Sequence, residues 1–208
     1  MNINLKESNL KGAARGIVRG GETLKEHRDR IIEATKATRH YAGITKMELR
    51  DSAPILYNKL FSRLRAGVVD ARETAKKIAA SPIVEQEGEL CFTLYNAAGD
   101  SILTSTGIII HVGTMGAAIK YMIENDWESN PGVRDKDIFC NNDSLIGNVH
   151  PCDIHTIVPI FWEGALIGWV GGVTHVIDTG AVGPGSMATG QVQRFGDGYS
   201  ITCRKVGE

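Results

Sequence analysis

The first half of the chain has the hydrophobic pattern of α-helices. Within residues 22–41, strong helix formers surround apolar positions at a loose helical period, and Gly43 follows as a stop signal. Residues 55–80 show the same pattern over a longer stretch that ends before Pro82. We therefore predict two helices here, or three if Gly67 divides the second one.

The second half changes to the pattern of β-strands. Residues 88–103 are apolar on both sides of a central Ala-Gly-Asp, which predicts a hairpin. Residues 137–143 predict a strand that leads into a loop. Residues 154–162 and 165–175, separated by a Glu-Gly pair, predict a second hairpin.

Residues 106–125 connect these halves. A β-branched run reaches His111, and a helical pattern follows as far as Met122, for which Thr114 is the predicted N-cap. The glycine-rich segment after Thr179 predicts a loop. The expected class is α+β, with N-terminal helices followed by antiparallel strands and hairpins that carry a metal site.

Two units are predicted along the chain. Residues 1–21 are polar and punctuated by glycines, which favours an extended N-terminal arm. Residues 22–208 form the second unit, a single α+β region. The chain stops directly after a predicted strand, so we expect a fragment of a longer subunit.

Composition excludes several classes of partner. The 208 residues include 23 basic and 24 acidic side chains, and the net charge of -1 offers nothing to attract nucleic acid or an anionic membrane. The sequence shows neither a secretory signal nor an apolar stretch that could span a bilayer, which predicts a cytoplasmic protein. The four cysteines are widely spaced without a CxxC pair, so we expect reduced thiols.

The stretch "GNVHPCDIHT", residues 147–156, is the strongest candidate for chemistry. If the second hairpin forms, His175 lies beside Asp153. His150 precedes Asp153 in the loop before the strand. Two imidazoles and a carboxylate suit a divalent ion such as Mn, Fe or Zn and leave other positions open. His155 shares a strand face with Asp153, so spacing alone leaves it as a rival ligand. A strand-entry turn without metal is the plainer alternative.

Other polar residues are weaker candidates. His111 could face a pocket, although a half-buried structural histidine is the commoner case. Asn142 and Asp143 suit a role in orienting ligand imidazoles, or a simple turn. Asp178 could accept a hydrogen bond near His175 or cap a loop. Cys152 is expected to point away from the ligands.

Longer motifs add a resemblance. The stretch from "FCNNDSLIGNVHPCDIHT" to "THVIDTGAVGPGSM" contains an Asn-Asp pair, a His-x-x-Asp, a hairpin, a His and a Pro-Gly-Ser-Met loop in one order, and "HVGTM" precedes them. It resembles the hydantoinase B / ketone carboxylase family, and nearly the whole chain resembles its ketone carboxylase branch. Val176 replaces a second histidine found in the hydantoinase branch, which argues against cleavage of hydantoin or 5-oxoproline.

The resemblance implies a specific function. It implies an ATP-dependent ligase that joins acetone to bicarbonate and gives acetoacetate, with Mn(II) on His150, Asp153 and His175 rather than on His155. It further implies beta and gamma partner subunits, with ATP, alone or with Mg(II), at a partner. The resemblance also implies a subunit several times longer than this chain. The competing hypotheses are an amidohydrolase of the hydantoinase or 5-oxoprolinase type, a mononuclear Fe(II) oxygenase and a non-catalytic assembly module.

Overall fold

The computed structural model describes residues 16–186, 189–190 and 192–207. In this part of the chain the helices and strands follow the order α1 (Leu24–Thr38), α2 (Glu48–Ser52), α3 (Pro54–Ile78), β1 (Leu90–Asn96), β2 (Ser101–Thr104), α4 (Ile110–Glu124), β3 (Ile138–Asn141), β4 (Asp153–Trp162), β5 (Ala165–His175) and β6 (Arg204–Gly207). Helices precede an antiparallel sheet, so the predicted α+β class is confirmed.

The helices α1 and α3, which correspond to the two predicted from the sequence, have clear local causes. Thr23 caps α1 in a capping box, since its side chain accepts from the Glu26 N–H and the Glu26 carboxylate accepts from the Thr23 N–H. The helix ends at Thr38 with Arg39 in the left-handed region, before the predicted end at Tyr41. Helix α3 runs unbroken through Gly67, because one glycine costs a helix only about 1 kcal/mol.

The N-terminal arm falls mostly outside the described residues. Where its end is described, Val18 forms a parallel β-bridge with Leu166. The Glu128 carboxylate accepts from the backbone N–H groups of Ile17 and Leu24. This short segment is therefore tied to the body of the fold.

All six strands pair antiparallel in the order β2-β1-β5-β4-β3-β6. Both predicted hairpins are confirmed: β1 pairs with β2, and β4 pairs with β5 across Glu163-Gly164. In the second hairpin Asp153 lies directly opposite His175. The register shifts once, between Ile160 and Phe161.

Helix α4 corrects one prediction. It begins at Ile110, so the β-branched run before His111 is not a strand and Thr114 is not an N-cap. Thr114 lies in the first turns, where its hydroxyl donates to the His111 carbonyl. Ile109 and Ile110 are exposed, so the helix is held by later residues such as Met115 and Ile119, which are buried in the core.

The core lies between α4 and one face of the sheet. Alternate residues of β4 face inward, beginning with Asp153 and His155 and continuing with the apolar Ile157. Trp169 and Phe139 meet edge to face in the same layer, with ring centroids 6.5 Å apart. One end of this core is thus polar. No described helix combines the length and apolar character needed to cross a membrane.

Candidate metal centre

The polar end of the core opens into a cavity of about 590 Å³. It lies where α4, the loop before β4 and the end of β5 meet. Aliphatic side chains form much of its wall, and ionisable side chains lie on one side. The lining residues are Ile83, Glu89, Ile108, Ile110, His111, Val149, His150, Asp153, His175, Ile177 and Gly185.

Three residues predicted as ligands lie together in this cavity. His150 Nε2 is 3.2 Å from Asp153 Oδ2, and the rings of His150 and His175 have centroids 4.9 Å apart. The pairing of Asp153 with His175 between β4 and β5 brings His175 to the other two residues. Asp153 is only 4% exposed, so its carboxylate has little access to bulk water.

Two further ionisable residues reach the same cluster. His111, on the first turn of α4, places Nε2 3.6 Å from Asp153 Oδ1. Glu89, just before β1, places Oε2 4.0 Å from His175 Nε2. Glu89 was missed from sequence because it lies among the ordinary acidic residues 85–89. Only the β1–β5 pairing brings it to the site.

Burial controls the protonation of the cluster. It raises the pKa of Asp153 to about 6, with the His175 imidazole opposing the shift and the Glu89 carboxylate adding to it. Burial lowers the pKa values of His111 and His150. The short His150–Asp153 distance therefore does not mark a stable ion pair, because burial penalises both charged forms. The lowered pKa values favour the neutral imidazoles of His111 and His150, the form in which histidine binds a metal ion.

The loop that carries His150 is held by Asn148. Its side-chain amide donates to the carbonyls of His150, at 2.9 Å, and Asp153, at 2.7 Å. Gly147, with φ +63°, lies against the backbone of α4, and a Cβ added to it would lie 2.5 Å from the Thr114 carbonyl oxygen. The sequence signal was present in "GNVH", but an Asn after a Gly indicates only a turn.

Asn142 and Asp143 lie beside the cluster and bind other groups. The Asn142 amide donates to the carbonyls of Pro151, at 2.8 Å, and Tyr199, at 3.0 Å. Asp143 accepts from Thr202 and Arg194. Burial alone would raise the pKa of Asp143, but these bonds and one from the Leu145 N–H lower it.

Asp178 organises the loop that follows β5. Its carboxylate accepts from the Gly180 and Gly185 N–H groups and from the Ser186 hydroxyl. The Ser186 bond is the main cause of its lowered pKa. Gly185 lines the cavity, so Asp178 shapes one part of the cavity wall.

His155 is fully buried and bonded on both ring nitrogens. Nε2 lies 3.3 Å from Thr114 Oγ1, and Nδ1 lies 3.4 Å from Asn141 Nδ2. Burial lowers the pKa of His155 to about 3, and the His111 charge acts in the same direction. Its partners are thus side chains of the core, although it shares the inward face with Asp153.

Cys152 departs from its predicted orientation. Its Sγ and one nitrogen each of His150 and His175 lie within 4.8 Å of one another. Residues 150–153 form a turn closed by the Asp153 N–H and the His150 carbonyl, so strand alternation does not apply to this side chain. The thiol is buried and also approaches Thr179 Oγ1 at 3.9 Å.

Unsatisfied polar atoms test whether the cluster suits a metal. Among the described residues, the Nδ1 atoms of His111, His150 and His175 are buried without a hydrogen-bond partner. Buried polar atoms without partners are rare, and a bound group is one explanation. A set of imidazole and carboxylate donors fits a divalent transition-metal ion such as Mn(II), Fe(II) or Zn(II).

Comparison with known proteins identifies the family of this chain. The family model for hydantoinase B/oxoprolinase matches residues 53–208, which include all of the cluster. The chain belongs to the hydantoinase B/oxoprolinase family. This membership confirms the resemblance found in the sequence motifs.

Relatives within the hydantoinase B/oxoprolinase family include two ketone carboxylase subunits. The chain is 88% identical over 207 residues to the acetone carboxylase alpha subunit of Xanthobacter autotrophicus, covering 100% of this chain and 27% of the relative. It is 31% identical over 121 residues to the acetophenone carboxylase delta subunit of Aromatoleum aromaticum, covering 58% of this chain and 17% of the relative. The chain thus spans about a quarter or less of the length of these relatives.

Solved structures show the same fold. A nucleotide-free acetone carboxylase structure, from work on ATP-dependent acetone carboxylation, superposes with a TM-score of 0.90 at 91% identity and covers 93% of this chain and 25% of that one. The ATP-dependent caprolactamase of Pseudomonas jessenii has a TM-score of 0.54 at 18% identity, covering 72% and 26%, and supports the fold alone.

Proposed function

We propose that this chain is the metal-binding N-terminal region of a carboxylase subunit that joins acetone to bicarbonate and gives acetoacetate, with ATP consumed at a partner subunit. The observation that carries the proposal is the 88% identity to an acetone carboxylase alpha subunit across the whole chain. At that identity, the side chains that line a buried site are expected to have the same roles. Residues 1–21 as an arm, 22–208 as one region and a cytoplasmic location stay predictions.

The proposed metal is Mn(II), held by His150, Asp153 and His175. Support comes from the contacts of His150 with Asp153 and with His175, from the unpartnered imidazole nitrogens and from the burial of Asp153. Glu89 is near enough to His175 to offer a further oxygen. When bound, the ion would supply a Lewis acid that stabilises an enolate oxygen or holds the carboxyl donor.

The chain's own residues would perform the remaining tasks. The aliphatic wall, which includes Ile110, Val149 and Ile177, suits the methyl groups of a small ketone. His111 faces Asp153 and would keep that carboxylate oriented. Asn142 would fix the Pro151 carbonyl, and Asp143 and Asp178 would fix the two flanking loops.

Exposed apolar surface supports assembly with beta and gamma subunits and with the rest of a longer subunit. On α3, Leu56, Leu60 and Leu64 follow one another at helical spacing and are 43–51% exposed, in line with the buried Val68. Contiguous apolar surface of this kind marks contacts with other protein. ATP, alone or with Mg(II), is assigned to a partner subunit.

The test is metal analysis of the intact complex. We expect about one Mn(II) per subunit in the native complex, and loss of both Mn(II) and ATP-dependent ketone carboxylation in His175→Ala. The matched control is His40→Ala, which removes an exposed imidazole after α1. Full Mn(II) and full carboxylation in His175→Ala would refute the assignment.

The same preparation separates the alternatives. Iron with oxygen-dependent turnover would favour the Fe(II) oxygenase. Hydrolysis of a cyclic amide without incorporation of labelled bicarbonate would favour the amidohydrolase. A complex that assembles without stoichiometric metal would favour the assembly module.

A further inference from the structure

A partly buried chain of hydrogen bonds connects β3, β4 and α4 beside the cluster. It begins at Asn141 on β3, passes through the ring of His155 on β4 and ends at Thr114 on α4. The Thr114 hydroxyl donates to the His111 carbonyl at 3.1 Å. The chain therefore ends at the residue whose imidazole faces Asp153.

The direction of each bond follows from the surrounding groups. Asn141 Nδ2 also donates to the Ile146 carbonyl at 2.9 Å, and Asn141 Oδ1 accepts from the Cys203 N–H. Reversing the amide would place oxygen against a carbonyl and nitrogen against an N–H, so Nδ2 is the atom that faces His155. His155 Nδ1 must then be the acceptor.

The Nε2 end of the His155 ring indicates the same tautomer. The Thr114 hydroxyl proton is used on the His111 carbonyl, so its oxygen can only accept from His155 Nε2. Both ends thus require one neutral tautomer, protonated on Nε2. A ring held in one tautomer by two partners has a fixed orientation.

We propose that Thr114 and His155 are positioning residues for the metal site, an inference that rests on the proposed function. They fix the first turn of α4, and so hold His111 against Asp153 Oδ1 while Oδ2 faces His150. The edge-to-face contact of the His111 and His155 rings, with centroids 6.2 Å apart, adds a second restraint. Partners of this kind keep a ligand carboxylate in the orientation that binds the metal.

The test compares matched variants in the intact complex, with the dissociation constant of Mn(II) and its EPR spectrum as readouts. Thr114→Val keeps the shape but removes the hydroxyl, and we expect Mn(II) affinity to fall about 10-fold or more. Thr114→Ser keeps the hydroxyl and is expected to restore the native value. Thr93→Val is the control, because Thr93 is a threonine on β1 that is more deeply buried than Thr114 and donates its hydroxyl to Thr104.

A second pair keeps the test decisive if Thr114→Val does not assemble. His155→Gln can still accept from Asn141 and donate to Thr114, whereas His155→Leu cannot. We expect Mn(II) affinity to survive in the first and to fall in the second. Equal affinity and an unchanged spectrum in both His155 variants, or in Thr114→Val, would overturn the inference.

Failure of the proposed function gives a different result. A native complex that holds no Mn(II) overturns the metal assignment together with the positioning roles. A native complex that holds Mn(II) and is indifferent to Thr114→Val overturns the positioning roles alone. An equal loss of affinity in Thr93→Val would also overturn them, because general destabilisation would then explain the effect.

Discussion

Gly147→Ala tests whether the loop that carries His150 depends on close contact with α4. Gly147 has φ +63°, and a Cβ there would lie 2.5 Å from the Thr114 oxygen and 2.8 Å from the Ala118 nitrogen. Both are backbone atoms of a packed helix, so a rotamer change cannot relieve the overlap. The loop or the helix must move instead.

Two energetic costs add to give the expected loss of stability in Gly147→Ala. A left-handed backbone costs a residue with a Cβ roughly 1–2 kcal/mol, and overpacking costs typically about 1–3 kcal/mol. Gly147→Ala is therefore expected to lower the free energy of unfolding by about 2–5 kcal/mol. Gly164→Ala, in the β4–β5 turn, carries only the first cost, because φ is +78° and no atom lies within 4 Å of the added Cβ.

Hydrogen exchange of the β4 backbone amides in the full-length subunit measures this difference. The Gly147→Ala amides should exchange about 5- to 150-fold faster than those of Gly164→Ala, which corresponds to about 1–3 kcal/mol. We also expect weaker Mn(II) binding in Gly147→Ala alone. Equal exchange rates in the two variants would refute the argument that backbone contact with α4 fixes the loop.

Three further predictions follow from particular contacts. Deleting Ile167 should leave Mn(II) binding in place, measured by metal analysis, because the strands then pair without a bulge and Asp153 stays opposite His175. Asp143→Asn should reduce the loss of stability on acidification, because the folded-state pKa of Asp143 is lowered. The stability that the Asp143 carboxylate contributes is present above its ordinary pKa of 3.8 and is lost as pH falls below that value. Circular dichroism measures this loss, with the exposed Asp135→Asn as the control. Chelation should speed hydrogen exchange across residues 147–153, and unchanged exchange would count against a metal there.

Local signals in the sequence predicted most of the fold. The hairpins followed from period-2 patterns on either side of turn residues, and α3 followed from its apolar period. Helix α4 shows the limit of such signals. Ile108 and Ile109 precede it and Ile110 begins it, although all three favour a strand by propensity. The buried residues that hold the helix, such as Met115 and Ile119, lie further along.

The candidate site was predicted in part for the same reason. His150 and Asp153 stand close in sequence, and a hairpin brings His175 to them. Glu89 and Asn148 were not predicted, because their roles depend on pairing between β1 and β5 and on a loop closed by its own carbonyls. The predicted orientation of the Cys152 side chain was wrong, because a turn replaces strand alternation at that residue.

The register of the β4–β5 hairpin decides on which face of the sheet His175 lies. Next to the turn, Trp162 pairs with Ala165, and continuing that register would place Asp153 opposite Thr174. His175 would then point to the outer face, because a one-residue slip exchanges the two faces of a strand. Ile167 is the extra residue that corrects the count, since Ile160 pairs with Gly168 while Phe161 pairs with Leu166. The candidate metal site therefore depends on a bulge near the opposite end of the hairpin, which the hydrophobic pattern does not reveal because Ile167 is an exposed apolar residue beside the turn.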